Sequence, residues 1–150
     1  MRTAIPRQFG FSHCFACGPD NLRGLRLEFE REGDRVLTTF TPPPEYGGYG
    51  VILHGGLTST LLDEVMAWAV YGLLDRLSLT TALRVNFLGP VRCGEPLTVI
   101  GSIVSKDDQG AEAQAELRDA AGLLRAEGFA TMRFLSARAA ARMGRVRPPQ

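Results

Sequence analysis

The 150-residue sequence is 45% hydrophobic and 22% charged, and its 17 basic and 16 acidic residues give a formal net charge of +1. These values are typical of one globular domain and argue against a disordered, collagen-like or disulfide-dense chain. The charge balance gives no general reason to expect binding to nucleic acid or to an anionic membrane.

The first 24 residues form an irregular N-terminal arm without a helical or strand-like periodicity. The arm lacks the apolar run of a secretory signal, and no stretch of the chain approaches the roughly 18 apolar residues of a membrane-spanning helix. Cys14, Cys17 and Cys93 make an odd number of cysteines in a chain too large to need disulfide stapling. We therefore expect a cytoplasmic protein.

After the arm, the sequence predicts two strands and then one long helix. Apolar and charged residues alternate over Leu25–Glu30, as in a half-buried strand, and a second strand is expected at Arg35–Thr41. A loop rich in proline and glycine, residues 42–50, leads to a helix over Gly56–Arg76. This helix is apolar round most of its circumference, which is typical of a buried helix.

Four more strands are predicted after the helix, with only short turns between them. They are expected at Leu79–Leu88, Glu95–Ser105, Ala111–Asp119 and Leu123–Leu135. Their alternation of apolar and polar residues favours antiparallel pairing. A single sheet must then wrap the one apolar helix, which is the α+β arrangement called a hotdog. We assign residues 25–135 to this domain and residues 136–150 to a basic tail with a short helix at Ala137–Met143.

The segment from Val51 to Asp63 holds the residues best suited to chemistry. Gly55 and Gly56 open the helix, whose first amides have no internal partner and carry part of a positive charge, so they suit a developing oxyanion. Asp63 lies inside the apolar helix, where an unpartnered carboxylate costs roughly several kcal/mol, so it needs a partner or a function. Glu64, about 100° further round the helix, is expected to be a dimer-interface or surface charge.

The spacing of Gly55 and Asp63 predicts an oligomer. Eight residues of helix correspond to a rise of ~12 Å, which is too far for both residues of one chain to act on one carbonyl carbon. A two-fold dimer with antiparallel helices would place Gly55 of one chain opposite Asp63 of the other. We predict a homodimer with shared active sites, assembled further into a tetramer of two dimers.

The sequence HGGLTSTLLDE, followed by TTALRVNFLGPVRCGEPLTVIGSIV, resembles the hotdog-fold acyl-CoA thioesterases of the phenylacetate-pathway (PaaI) and 4-hydroxybenzoyl-CoA types. The resemblance covers residues 11–135. It implies that the Gly55 amide binds the thioester oxygen and that Asp63 is the nucleophile or general base. It also implies a hydroxyl group that holds the lytic water at the start of the next strand, for which Thr80 is favoured over Thr81.

Four residues are assigned to substrate binding: His54, Gly56, Ser59 and Thr81. His54 either orients its loop through the ring nitrogens or touches the substrate, and Ser59 either hydrogen-bonds within the helix or contacts the substrate. Some members of the family have an Asn six residues before the His, where this chain has Gly48. A mechanism that needs that side chain is therefore not expected here.

The arm carries a Cys-x-x-Cys pair preceded by a histidine (His13, Cys14 and Cys17), in a segment that resembles an N-terminal signature of a subset of these proteins. These residues leave a four-ligand zinc site incomplete unless His54, Cys93 or a partner chain contributes. We predict no metal site.

The resulting prediction is a thioesterase that hydrolyses an aryl- or medium-chain acyl-CoA to the free acid and coenzyme A, without a cofactor other than the coenzyme A of its substrate. Two alternatives stay open, because a fold does not determine a function. One is a hotdog protein that binds acyl-CoA or an aromatic ligand without turnover, as Gly48 hints. The other is a hydratase that adds water to an enoyl-CoA.

Overall fold

The computed structural model describes residues 1–7 and 11–143. Within these residues the chain forms seven strands, two α-helices and one short 3₁₀ helix. In chain order they are β1 (Thr3–Ala4), β2 (Glu30–Glu32), β3 (Arg35–Phe40), the 3₁₀ helix (Pro44–Tyr46), α1 (Gly55–Leu74), β4 (Ser78–Phe87), β5 (Leu97–Lys106), β6 (Gly110–Arg118), β7 (Leu124–Phe134) and α2 (Ala137–Met143).

The strands form one antiparallel sheet in the order β1-β2-β3-β5-β6-β7-β4, with α1 packed on its inner face. The core lies between them, and Leu62 and Val65 of the helix are completely buried. Two strand glycines bring the helix close to the sheet. A Cβ atom at Gly101 would lie 2.8 Å from the Val65 carbonyl oxygen, and one at Gly128 would lie 3.2 Å from Leu62 Cβ. The predicted antiparallel sheet round a central helix is confirmed.

The prediction of a strand at Leu25–Glu30 is wrong. The alternation of buried and exposed residues is present, but only Glu30–Glu32 belongs to the sheet. Arg26 has a φ of +53°, which interrupts extended backbone. The segment instead hydrogen-bonds to the arm, through Leu25 N–H to the Phe15 oxygen (2.8 Å) and Leu27 N–H to the Ala16 oxygen (2.9 Å). The alternation of apolar and charged residues therefore predicted correctly which side chains are buried. It did not show that the segment pairs with the N-terminal arm and not with a strand of the sheet.

Helix α1 begins one residue earlier and ends two residues earlier than predicted. It stops because Asp75 adopts a left-handed conformation, from which its N–H donates to the Tyr71 oxygen. The short helix predicted at Ala137–Met143 is present with those bounds, and the rest of the predicted tail, residues 144–150, lies outside the described residues.

Among the helices of the described residues, none has both the length and the apolar character needed to cross a membrane.

Candidate active site

His54 caps the N-terminus of α1. The Nδ1 atom of its ring accepts a hydrogen bond from the Gly56 N–H (2.9 Å). The backbone N–H of His54 donates to the Tyr46 carbonyl oxygen (2.9 Å). A side-chain acceptor at this position satisfies one of the amides that a helix leaves unpaired at its start. His54 therefore orients the loop and the helix start, and the Gly56 amide, assigned above to substrate binding, is held by this cap.

Capping leaves one amide of the first turn available. The N–H groups of Leu57 and Thr58 donate to the His54 oxygen (2.9 and 3.1 Å), and that of Gly56 donates to the His54 ring. Among the described residues, the Gly55 N–H has no acceptor. It lies at the positive end of the helix dipole. A Cβ atom at Gly55 would lie 3.4 Å from the Phe87 ring, so an aromatic wall stands beside this donor.

Asp63 is oriented by a hydroxyl group from the sheet. Thr80 donates from Oγ1 to Asp63 Oδ1 at 2.7 Å, and Thr80 Oγ1 also lies 3.2 Å from Met132 Sδ. Among the described residues, Asp63 Oδ2 has no hydrogen-bond partner. A half-buried carboxylate with one oxygen held and the other free can attack a carbon or accept a proton.

The structure separates the two threonines between which the sequence left a choice. The pairing of β4 with β7 shifts register between Thr80 and Ala82, so Thr80 faces α1 whereas Thr81 bulges outward. The exposed Thr81 hydroxyl donates to the Thr131 carbonyl oxygen at 3.2 Å. Thr80 therefore joins Asp63, and Thr81 does not.

The hydroxyl group of Ser59 hydrogen-bonds within the helix. It donates to the Gly55 oxygen (3.0 Å), as Thr60 does to the Gly56 oxygen (2.9 Å). These bonds are the usual local alternative for hydroxyl residues in helices, and they leave the lone pairs of each oxygen available.

Gly48 lies beside the cap. A Cβ atom there would be 3.5 Å from His54 Cα and 3.8 Å from His54 Cδ2, which is ordinary van der Waals distance. A side chain at this position would therefore reach the imidazole of His54. Glycine has no side chain, so this contact is not made.

One side of α1 is left uncovered by its own sheet. Gly56, Thr60, Asp63 and Ala67 recur at helical spacing on this side, and all are partly or fully exposed. Strand β4 has a free edge next to it. Its inward-facing Leu83 and Phe87 are 40% and 58% exposed, although the β7 residues paired with them, Ala130 and Ala126, are buried. We call these six residues, four from α1 and two from β4, the open face.

Val70, seven residues after Asp63 on α1, is completely buried in the core. The helix, which was predicted to be buried, is partly exposed on the open face. Apolar periodicity cannot reveal it, because glycine, alanine and threonine occur equally on exposed surfaces and at close helix contacts.

Glu64, expected at a dimer interface or on the surface, lies beneath the N-terminal arm. It is not a surface charge, since the arm covers it and its Oε1 accepts the Trp68 Nε1–H (3.2 Å) and lies 3.6 Å from Cys14 Sγ. Burial raises the pKa of Glu64 to about 7. The hydrogen bond between the two cysteines lowers the pKa of Cys14 to about 5 and raises the pKa of Cys17. The sequence signals for this cluster are the Cys-x-x-Cys pair and the four-residue spacing of Glu64 and Trp68.

Comparison with known families identifies the family of the chain. The model of the thioesterase superfamily matches residues 50–126, just over half of the chain. The matched segment includes the capped helix start, Asp63 and Thr80.

Two curated relatives share 28% identity with the chain. A putative esterase of Saccharolobus solfataricus matches over 105 residues, which are 69% of this chain and 74% of that protein. An uncharacterised protein of Schizosaccharomyces pombe matches over 72 residues, which are 47% of this chain and 41% of that protein. The chain thus spans less than half the length of the fission-yeast relative.

Several solved structures share the fold. A thioesterase superfamily protein has a TM-score of 0.76 at 24% identity, with 87% of this chain and 68% of that chain covered. The Escherichia coli PaaI protein has a TM-score of 0.68 at 19% identity (75% and 81% covered). A Streptococcus mutans protein bound to acetyl-CoA has a TM-score of 0.67 at 19% identity (73% and 89% covered). The predicted hotdog fold is confirmed.

Proposed function

We propose, from the premise that the chain belongs to the thioesterase superfamily, that it hydrolyses an acyl-CoA thioester to a free acid and coenzyme A. One observation carries the proposal: α1 holds both an unpaired amide, that of Gly55 at its start, and the carboxylate of Asp63 on the open face. The amide is a donor for a thioester oxygen, and Thr80 holds the carboxylate ready. The acetyl-CoA bound to the related Streptococcus mutans protein supports coenzyme A as the thiol.

The proposal requires a second copy of the chain. Gly55 and Asp63 of one helix are separated by a rise of ~12 Å, whereas reacting groups must meet at about 3–3.5 Å. The open face supports a two-fold partner, because its small residues let two helices approach closely. The free edge of β4 carries apolar side chains that would stay exposed to solvent in a monomer, where they would favour aggregation. In such a dimer Gly55 of each chain faces Asp63 of the other.

The chemistry then follows from the two half-sites. The thioester oxygen accepts the Gly55 N–H, and the helix terminus stabilises the negative charge that develops on this oxygen. The partner's Asp63 either attacks the carbonyl carbon or takes a proton from a water molecule that attacks it. The carbon–sulfur bond breaks and coenzyme A leaves as the thiolate. In the nucleophilic route, water then hydrolyses the acyl-aspartyl anhydride and regenerates the carboxylate.

Release of free thiol from a panel of aryl- and medium-chain acyl-CoA esters tests this function. We expect Asp63→Asn to lower kcat by about 10²–10⁴-fold, since it keeps the shape of the side chain and removes its basicity. Asp75→Asn, which removes a carboxylate from the end of the same helix, is the matched control and should keep the wild-type rate. An Asp63 variant with the wild-type rate would rule out the assigned role.

The competing function is binding of an acyl-CoA or aromatic ligand without turnover, which the vacant side-chain position at Gly48 favours. Tight binding across the same panel with no thiol release would establish it. The tetramer of two dimers and the cytoplasmic location stay predictions. Mass measurement in solution tests the first, and the odd number of cysteines in a chain that needs no disulfide supports the second.

A further inference from the structure

We propose that Cys14, Cys17 and Glu64 bind a zinc ion that fastens the N-terminal arm to α1. The two thiol sulfurs and a carboxylate oxygen all lie within 4.8 Å of one another, although the cysteines are about fifty residues from Glu64 in sequence. Thiolate sulfur and carboxylate oxygen are both zinc ligands. The sequence predicted no metal because His13, Cys14 and Cys17 leave a four-ligand site incomplete, and in the structure His13 is exposed and outside this cluster.

The backbone of the cysteine turn is built to hold two sulfur atoms on one side. The Cys17 N–H points at Cys14 Sγ (3.4 Å), and the Gly18 N–H donates to the Cys14 oxygen (2.8 Å). A Cβ atom at Gly18 would lie 2.5 Å from both Cys14 N and the Ser12 oxygen, so no other residue fits this turn. A backbone N–H aimed at the Cys14 sulfur suits a thiolate, because backbone amides stabilise anions.

The separation of the third ligand fits a tetrahedral ion. With zinc at about 2.3 Å from sulfur and about 2.0 Å from oxygen, a sulfur and an oxygen on the same ion are about 3.5 Å apart. Cys14 Sγ lies 3.6 Å from Glu64 Oε1. The ligands therefore need only small side-chain adjustments to close on the ion.

The surroundings of Glu64 hold the carboxylate in place. Trp68 donates its indole N–H to Glu64, and its ring stacks on Phe29 with centroids 4.6 Å apart and planes 14° apart. Phe11 of the arm packs on the same indole, with ring centroids 5.9 Å apart. Carboxylates that bind metals are commonly hydrogen-bonded in this way by an outer group.

The fourth ligand is a water molecule supplied from an adjoining cavity. This cavity of about 190 Å³ is lined by all three proposed ligands and by Arg76. Two thiolates, one carboxylate and a zinc ion carry a net charge of −1, which the guanidinium of Arg76 offsets. The site thus has three protein ligands and one exchangeable position.

Metal analysis of the reduced protein, purified without a polyhistidine tag, tests the site. We expect about one zinc per chain in the wild type, and the metal to be lost in Cys14→Ser and Cys17→Ser. Cobalt in place of zinc should give a thiolate charge-transfer absorption that both variants lack. Trp68→Phe, which keeps the ring and removes the N–H donor, should weaken zinc binding by about 10–100-fold in competition with a chromogenic chelator.

Two matched controls make the result specific. Cys93→Ser removes the thiol outside the cluster, and Asp63→Asn removes the carboxylate that precedes Glu64 on the helix, so both should keep one zinc per chain. Because Asp63→Asn is expected to lower hydrolysis but to keep the zinc, it distinguishes a failure of the zinc site from a failure of the proposed activity. A wild-type protein that takes up no zinc under reducing conditions overturns the proposal. So does zinc retained by both arm cysteine variants, or a Cys14–Cys17 disulfide in protein isolated from cytosol with its thiols trapped.

Discussion

Asp63 and Glu64 are neighbours in sequence, yet α1 turns them into opposite surroundings. Asp63 belongs to the open face, where it accepts a hydrogen bond from a hydroxyl group of β4. Glu64 lies beneath the arm, among two thiols and an indole N–H. A helix rotates about 100° per residue, so adjacent carboxylates face different parts of the fold. The comparison shows that the chemical task of a carboxylate is set by what the tertiary structure brings to it.

After Asp63→Asn, the largest effect on catalysis is expected from Gly55→Pro, which removes the unpaired amide and little else. Proline is favoured at the first position of a helix, and His54 has the extended conformation (ψ 131°) that a residue before proline adopts. We expect kcat to fall by about 10²–10³-fold, as when an oxyanion donor is deleted. Gly55→Ala keeps the amide and is the control. Equal rates for Gly55→Pro and wild type would exclude the amide from the mechanism.

Mixing two inactive variants tests whether each site is shared between chains. A dimer of one Gly55→Pro chain and one Asp63→Asn chain contains one site with both defects and one site with neither. We expect such mixed dimers to recover about half of the wild-type rate. No recovery in mixed dimers verified by mass spectrometry would place both groups of one site in the same chain.

A smaller effect is expected when the partner of Asp63 is removed. Thr80→Val keeps the shape of the side chain but deletes a hydrogen bond to a charged group, which is worth about 1.5–3 kcal/mol. We expect kcat to fall on the order of 10–100-fold. Thr81→Val, whose hydroxyl faces the other side of the sheet, should change kcat less than about threefold. The assignment of Thr80 fails if the two variants have the same rate.

The smallest effect is expected far from both carboxylates, in the turn between β6 and β7. Arg125 donates to Asp119 at 2.7 Å and holds the pKa of Asp119 below its usual value. A lowered pKa in the folded state stabilises the protein above the ordinary pKa of aspartate, and this contribution is lost as pH falls through the folded-state value. Thermal unfolding should show a lower Tm for Asp119→Asn at neutral pH, with the difference vanishing in acid. Asp108→Asn, in the turn between β5 and β6, should match the wild type at both pH values.

Local sequence chemistry was sufficient where a residue interacts with its chain neighbours. The two glycines predicted the helix start, and the apolar run after them predicted a helix packed on a sheet. The choice of Thr80 over Thr81 could only be weak, because it depends on a bulge in the pairing of β4 with β7. The strand predicted at Leu25–Glu30 was wrong because alternation is the same whether a segment pairs with a strand or with the arm.

The sequence by itself determined the hotdog fold, the helix start at the two glycines and the position of Asp63 on α1, because each depends on periodicity or on contacts within a few residues. Only the tertiary structure decided that the His54 ring holds the Gly56 amide and leaves that of Gly55 free, and that Thr80 reaches Asp63. It alone brought Glu64 to Cys14 and Cys17, since folding of the arm over α1 joins segments that share no periodic pattern. Asp63 and Glu64 therefore have different partners because of contacts between distant segments, which no local sequence pattern predicts.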